Sequence, residues 1–288
     1  MDTKRVEQFI QGKGLPTKPY IIFDSNDADR VEQIAANSNL LRNSFHNGAH
    51  GLYSPEMDLV LVRRDKKLEE KNGGIYTEGL LAHELTHASS MYQGYVTSGK
   101  QDFYTPRVGF CLPQNETPWG WLMEEGWADM HRAEYFAKFA TDEQKQKIDS
   151  VMNFGQLNLE DTVPITTPRG NALPLPVKYL YLAENGGPTT KSSSYAGYAL
   201  ELLCKKDPSL YLTLKEARSS VEGLKKLAAQ IDKISPSLYS YLQTSDYSEE
   251  DFSKKLQGVI SKTYGETKSL IRGPSGLQDT WNRLLQPK

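Results

Sequence analysis

A chain of 288 residues, 38% hydrophobic and 24% charged, has the make-up of an ordinary soluble protein, with room for one large domain or two lobes sharing a core. A formal net charge of −2 provides no basic face for nucleic acid, and no apolar run approaches the ~20 residues needed to cross a bilayer. Cys111 and Cys204 are too few for a disulfide scaffold, and the stretch from Met1 to Phe9 lacks the apolar core of a signal peptide, so the cytoplasm is the expected compartment.

In chain order, Lys18 to Asp24 reads as a strand and Asp27 to Leu41 as a helix. Ala49 to Ser54 and Leu59 to Val62, separated by Pro-Glu-Met-Asp, read as a hairpin by their alternating and β-branched residues. A charged loop is expected from Arg63 to Gly74. Between Ile75 and Gly94, Leu80, Leu81, Leu85, Ala88 and Met91 recur at spacings of three and four, as on an amphipathic helix. Thr77 and Glu78 suit its start and Gly94 its stop.

That helix carries His83-Glu84-Leu85-Thr86-His87. Two imidazoles four residues apart lie roughly one helical turn apart and can address a single ion from one face. The intervening Glu84 lies beside the ion without ligating it, where it can take the proton of a metal-activated water. H-E-x-x-H arises by chance in such a chain on the order of one time in a hundred or less. The bland reading is a surface helix that happens to carry two histidines.

A catalytic zinc takes three protein ligands and an open position. The metzincin continuation requires Gly and His where this chain has Ser90 and Gln93, and is excluded. The other pattern is a glutamate on a second helix with an acid four residues later. Glu125 and Asp129 satisfy it, with Glu125 as third ligand and Asp129 as acceptor of the second ring N–H of a zinc histidine. Thr117 and Pro118 suit the start of this helix. Glu124 lacks a matching acid, since Ala128 stands four residues on, and His131 is turned away from Glu125. His46 reads as a structural or exposed histidine.

With these residues the chain resembles the gluzincins, and Glu125-Gly126-Trp127-Ala128-Asp129 is similar to the E-G-x-A-[DE] form of small MA-clan peptidases and aminopeptidase relatives. The resemblance implies an α+β, zincin-like two-lobed fold. Residues 1–140 would form an N-terminal lobe with a small mixed sheet, the H-E-x-x-H helix and the Glu-ligand helix. Residues 141–288 would form a mainly helical lobe across a cleft. It implies one Zn2+ per chain and a peptide or protein substrate added as an extra strand along the edge strand at His50, Gly51, Leu52 and Tyr53. The segment Ser194 to Leu203 looks like the one carrying an oxyanion-stabilising tyrosine, but Gly197 falls one position early; Tyr195 is preferred and Tyr198 is the fallback.

The implied activity is peptide-bond hydrolysis with Glu84 as general base and acid. No carboxylate lies between Gly48 and Tyr53 to anchor a free amine, which favours an endopeptidase or narrow-specificity peptidase. Two alternatives stay open: a catalytically weak zincin-fold binding protein, and a zinc hydrolase of a non-peptide amide or ester. The sequence does not indicate an oligomeric state.

Further along, Thr141 to Gln144 reads as a capping box opening a helix. The Pro-, Gly-, Asn- and Thr-rich stretch between Met152 and Ser194 is expected to be irregular, either walling a specificity pocket or serving as a plain surface connection. Helices are expected at 195–204, 209–218, 221–231, 249–262 and 281–285.

Overall fold

A three-stranded mixed sheet is built from β1 (Tyr20–Asp24), β2 (Gly51–Ser54) and β3 (Leu59–Arg64) in the order β1-β3-β2. β1 runs parallel to β3, with Tyr20 opposite Val60, and β2 runs antiparallel to it, with Gly51 opposite Val62, so among the described residues β2 forms an edge. Successive side chains of a strand point to opposite faces. Val60 and Val62 therefore enter one buried cluster with Tyr53, while Leu61 enters another with Phe23 and Phe45. The computed structural model describes residues 1–24, 49–55, 57–98, 101–111, 120–152, 158–166, 172–183, 188–190, 192–234 and 238–244, with Asp27, Gln33, Phe45 and Pro236.

Helix α1 (Thr3–Gly12) is absent from the sequence expectations. Its apolar face is only Val6, Phe9 and Ile10, and the Asp2 carboxylate caps it by accepting from the Arg5 amide (3.1 Å). The expected loop at 63–74 instead holds α2 (Lys66–Asn72), because Asp65 caps it by accepting from the Leu68 amide (3.1 Å) and Leu68 is buried. Gly73, at φ 63°, ends it in a conformation that other residues rarely adopt.

Helix α3 (Ile75–Ala88) contains the H-E-x-x-H run. It starts before Thr77, and all its residues except Tyr76 are buried, so it is enclosed rather than amphipathic. Glu78 serves as an anchor, accepting from the Asp2 amide, Arg5 Nη2 and Tyr135 Oη, each at 2.6 Å. The helix stops at Ala88, short of Gly94, and the chain enters a hairpin of β4 (Met91–Ser98) and β5 (Gln101–Val108), with Met91 opposite Val108.

Helix α4 (Trp121–Phe139) carries Glu125 and Asp129; Thr117 and Pro118 lie outside the described residues. Helix α5 (Asp142–Met152) opens on the expected reciprocal capping box, in which the Thr141 amide donates to Gln144 Oε1 (2.7 Å) and the Gln144 amide to Thr141 Oγ1 (3.3 Å). The stretch expected to be irregular contains two ribbons, β6 (Thr162–Thr166) with β7 (Ala172–Pro176) and β8 (Tyr181–Leu182) with β9 (Pro188–Thr189). Two-stranded ribbons accommodate Pro164, Pro174 and Pro176 because every strand in them has a free edge.

Helices α6 (Ser192–Lys206), α7 (Ser209–Ala217), α8 (Val221–Ile234) and α9 (Leu238–Thr244) follow, the last of them not expected. The expected helices at 249–262 and 281–285 lie outside the described residues, as does all of 27–41 except Asp27 and Gln33. Helices α4 and α6 cross at bare backbone. A Cβ on Gly126 would stand 2.7 Å from that of Ala196, and one on Gly197 would stand 2.8 Å from the Gly126 carbonyl oxygen. This accounts for Gly197 at its position, independently of the tyrosine motif.

The fold is thus α+β, mostly helical with a small sheet. One buried cluster joins α1, α3 and the sheet through Ile10, Val62, Leu81 and Leu85. A larger one joins α4, α6 and the helices after it through Met123, Trp127, Leu200, Leu214 and Leu227. Among the described residues, no helix is long and apolar enough to cross a membrane.

Candidate metal centre

Helices α3 and α4 bring His83, His87 and Glu125 together, each offering a ligand atom within 4.8 Å of the others. The two Nε2 atoms are 3.1 Å apart. Glu125 places Oε2 3.4 Å from Nε2 of His83 and Oε1 3.3 Å from Nε2 of His87. The histidines are almost wholly buried, and Glu125 retains partial exposure.

The opposite edge of each ring is fixed by a carboxylate. His83 Nδ1–H donates to Asp129 Oδ1, and His87 Nδ1–H to Glu124 Oε1, both at 3.1 Å. A carboxylate can only accept, so each Nδ1 carries a proton, while both Nε2 atoms turn toward Glu125, to which they donate where the rings are charged and no ion is held. These three groups can therefore hold a metal ion.

Asp129 falls where the sequence pattern places it, and it is itself held. Ser193 Oγ (2.6 Å) and Ser194 Oγ (3.0 Å), on the first turn of α6, donate to Oδ2, and Arg132 Nε donates to Oδ1 (2.8 Å). Glu124 is the residue that the sequence pattern passes over. Its carboxylate accepts from His87, from the Phe110 amide (2.9 Å) and from Arg218, whose Nη2 is 2.5 Å from Oε1. The E-x-x-x-D spacing identifies only one carboxylate partner; the second lies beside Glu125 in sequence and is neutralised by an arginine 94 residues away.

Burial alone favours neutral imidazoles, but the carboxylates outweigh it. They raise the pKa of His83 and push that of His87 up to about 10, where Glu125 and Glu124 are the opposing charges. Burial would raise the carboxylates, yet Arg218 and His87 hold Glu124 down to about 2, and the two histidines hold Glu125 well below the usual carboxylate range. His131 is outside the cluster. Its Nδ1 lies 2.9 Å from the Trp127 carbonyl oxygen and its Nε2 lies 3.0 Å from Tyr211 Oη, while burial drives its pKa down to about 3.

Edge strand β2 packs against the motif helix and meets Glu84 at Gly51. A Cβ on Gly51 would lie 2.5 Å from Oε1 of Glu84, so only glycine admits this approach without displacing the carboxylate. Leu52 and Tyr53 send their side chains to opposite faces of the sheet, and the Tyr53 hydroxyl donates to Asp58 (2.8 Å). The His50 carbonyl accepts from the Arg63 amide (2.7 Å), and its ring stands edge-on to Tyr76 at 6.2 Å. Tyr195 and Tyr198 are buried in the helical core, Tyr195 directly after the serine that bonds Asp129 and Tyr198 with its ring 6.0 Å from Tyr179. His46 lies outside the described residues.

No protein-family model matches the chain, and no curated protein or solved structure matches it either.

Proposed function

We propose that the chain is a zinc-dependent peptidase of the gluzincin type, with the zincin-like two-lobed arrangement, and with His83, His87 and Glu125 holding one ion per chain. The observation carrying this reading is the convergence of two Nε2 atoms and a carboxylate beside Glu84 at the edge of a sheet. Donors about 2.0–2.1 Å from a tetrahedral ion stand roughly 3.3 Å apart. The two Nε2 atoms, 3.1 Å apart, are near that spacing, and each has a different oxygen of Glu125 at 3.3 or 3.4 Å, so a single carboxylate faces both ring nitrogens.

Zinc held there supplies Lewis acidity, polarising a carbonyl and acidifying water. The protein contributes the rest. Asp129 and Glu124 keep the Nδ1 protons in place and so preserve the ligand face of both rings. Glu84 accepts a proton from the attacking water at its carboxylate and returns it to the departing amine nitrogen. The free backbone edge of β2 aligns an extended peptide through main-chain hydrogen bonds. The resemblance assigns the oxyanion to the hydroxyl of Tyr195, with Tyr198 as the alternative, although both rings lie in the helical core, so that hydroxyl would have to be exposed to the reacting carbonyl.

The absence of a carboxylate between Gly48 and Tyr53 favours internal cleavage. The test is a library of N-acetylated peptides incubated with zinc-loaded protein, with small esters and amides run in parallel. Cleavage of blocked peptides supports the reading. Turnover of the esters or amides alone supports a non-peptide hydrolase, and no turnover of any substrate supports a binding role.

Gly51→Ala provides a separate check on the strand. The added methyl forces the Glu84 carboxylate aside, and a misplacement of about 1 Å at a reacting group costs up to about a hundredfold. The expected result is unchanged zinc content with kcat lowered about ten- to a hundredfold. Metal analysis beside steady-state kinetics checks it, and parent-like turnover would remove Gly51 from the site.

A further inference from the structure

Arg218 follows α7 and is 1% exposed, among the largest fully buried side chains of the protein despite its charge. A buried guanidinium is retained only where its donors are met. Here Nε donates to Glu124 Oε2 (3.2 Å) and Nη2 to Glu124 Oε1 (2.5 Å), a two-point grip on one carboxylate. Nη2 also donates to the Thr86 carbonyl (2.7 Å) and Nη1 to Ser89 Oγ (3.1 Å). The face of the group lies 5.7 Å from the centre of the Trp127 ring.

Thr86 stands between Glu84 and His87, in the last turn of α3, where carbonyls lack partners within the helix and a cation is favoured. Arg218 therefore grips both helices of the metal centre, α3 at its C-terminal end and α4 at Glu124. Stability alone does not explain the pair, because an apolar pair of similar volume is often as stable as a buried ion pair or more so. An apolar pair cannot accept the Nδ1 proton of His87.

We propose that Arg218 is a positioning residue for the metal centre: its fork locks Glu124, and Glu124 in turn holds His87 with Nε2 aimed at Glu125. The inference rests on the metal-centre reading above. It assigns a function to a residue far in sequence from every ligand, on the helical side of the molecule. An arginine is required there because lysine, as a point charge, cannot hold both carboxylate oxygens and the Thr86 carbonyl in one plane.

The test compares the parent chain with Arg218→Lys and with the double variant Glu124→Leu/Arg218→Met. Zinc affinity is measured by chelator competition, the visible absorption bands of the cobalt-substituted protein report ligand geometry, and circular dichroism reports folding. The double variant leaves no unpaired charge but orphans the Phe110 amide, His87 Nδ1 and the Thr86 carbonyl, so it is expected to fold with a lowered unfolding temperature and to bind zinc about ten- to a hundredfold more weakly with altered cobalt bands. Arg218→Lys is expected to lose about tenfold and stands as the second variant should the double variant not fold. Parent-like affinity and bands in Arg218→Lys, and in the double variant where it folds, would overturn the role of Arg218 while leaving the metal centre intact. A parent chain that binds neither zinc nor cobalt would overturn the metal reading and this role with it.

Discussion

Glu84→Gln is expected to hold zinc as tightly as the parent chain while its peptide hydrolysis falls about 10²–10⁴-fold, the range contributed by a positioned general base. Glutamine keeps the shape of the side chain and its reach past Gly51, so neither the buried helix nor the edge strand has reason to move. What it loses is the ability to take a proton at neutral pH. Equal metal content in both proteins together with kcat on one blocked peptide decides the matter. Turnover within a few-fold of the parent would show that another group accepts the proton and that Glu84 is a packing residue beside the ligands.

Glu125→Ala is expected to reduce zinc retention to background and to change the titration of the metal-free protein. Burial depresses the His87 imidazole, and the leading opposing charge is that of Glu125. Without it the His87 pKa falls back from about 10, a change that NMR titration of the ring protons reads directly. The effect on stability follows in sign. His87 has a folded pKa above its ordinary value of 6.5, so its contribution is complete below about pH 6.5 and is lost as pH rises through about 10. Glu125 has a depressed pKa, so its contribution is present above the ordinary value of 4.5 and is lost as pH falls through its folded value. The stability gap between metal-free parent and variant is thus widest between about pH 4.5 and 6.5. It should stay below the ~3–5 kcal/mol typical of breaking a buried pair, because the imidazoles can shed their protons. Urea unfolding in the presence of a chelator at about pH 5.5 and about pH 9.5 checks both the sign and the window. A gap that widens toward high pH would contradict the arrangement of charges.

The centre was legible in the sequence to the extent that it obeys helical spacing. His83 and His87 share a face at four residues, and Glu125 and Asp129 do the same, so each helix announces its own pair. Pairing the two helices with each other rested on motif knowledge, and the structure brings those four residues together. Glu124 has no such spacing to reveal it. Its partners are a backbone amide at Phe110 and an arginine in the polar run Glu216-Ala217-Arg218-Ser219-Ser220, which reads as an exposed helix end. Sequence periodicity cannot register a contact between residues so far apart.

The same distinction runs through the fold. The capping box at Thr141 and Gln144 is local and readable, as is β2 as a strand from its alternation, while its place at the edge comes from the resemblance. Helix α1 was not, because three apolar residues in ten give a weak periodic signal, and its place depends on Arg5 and the Asp2 amide meeting Glu78 more than seventy positions away. Helix α3 reads as amphipathic because its apolar residues recur at spacings of three and four, a pattern that says nothing of what covers the other face. Its polar residues are buried, and Glu78, His83 and His87 each find a charged partner in another element. The ribbons between 162 and 189 were hidden by proline and threonine, which read as loop residues but are tolerated where every strand is an edge.

The most direct measurement of the central claim is the metal content of the purified parent chain by elemental mass spectrometry, after passage through metal-free buffer. The account predicts about one zinc per chain, the content of a three-ligand site with one position open. A parent chain that is folded and carries no tightly held metal, even after incubation with zinc, would contradict it.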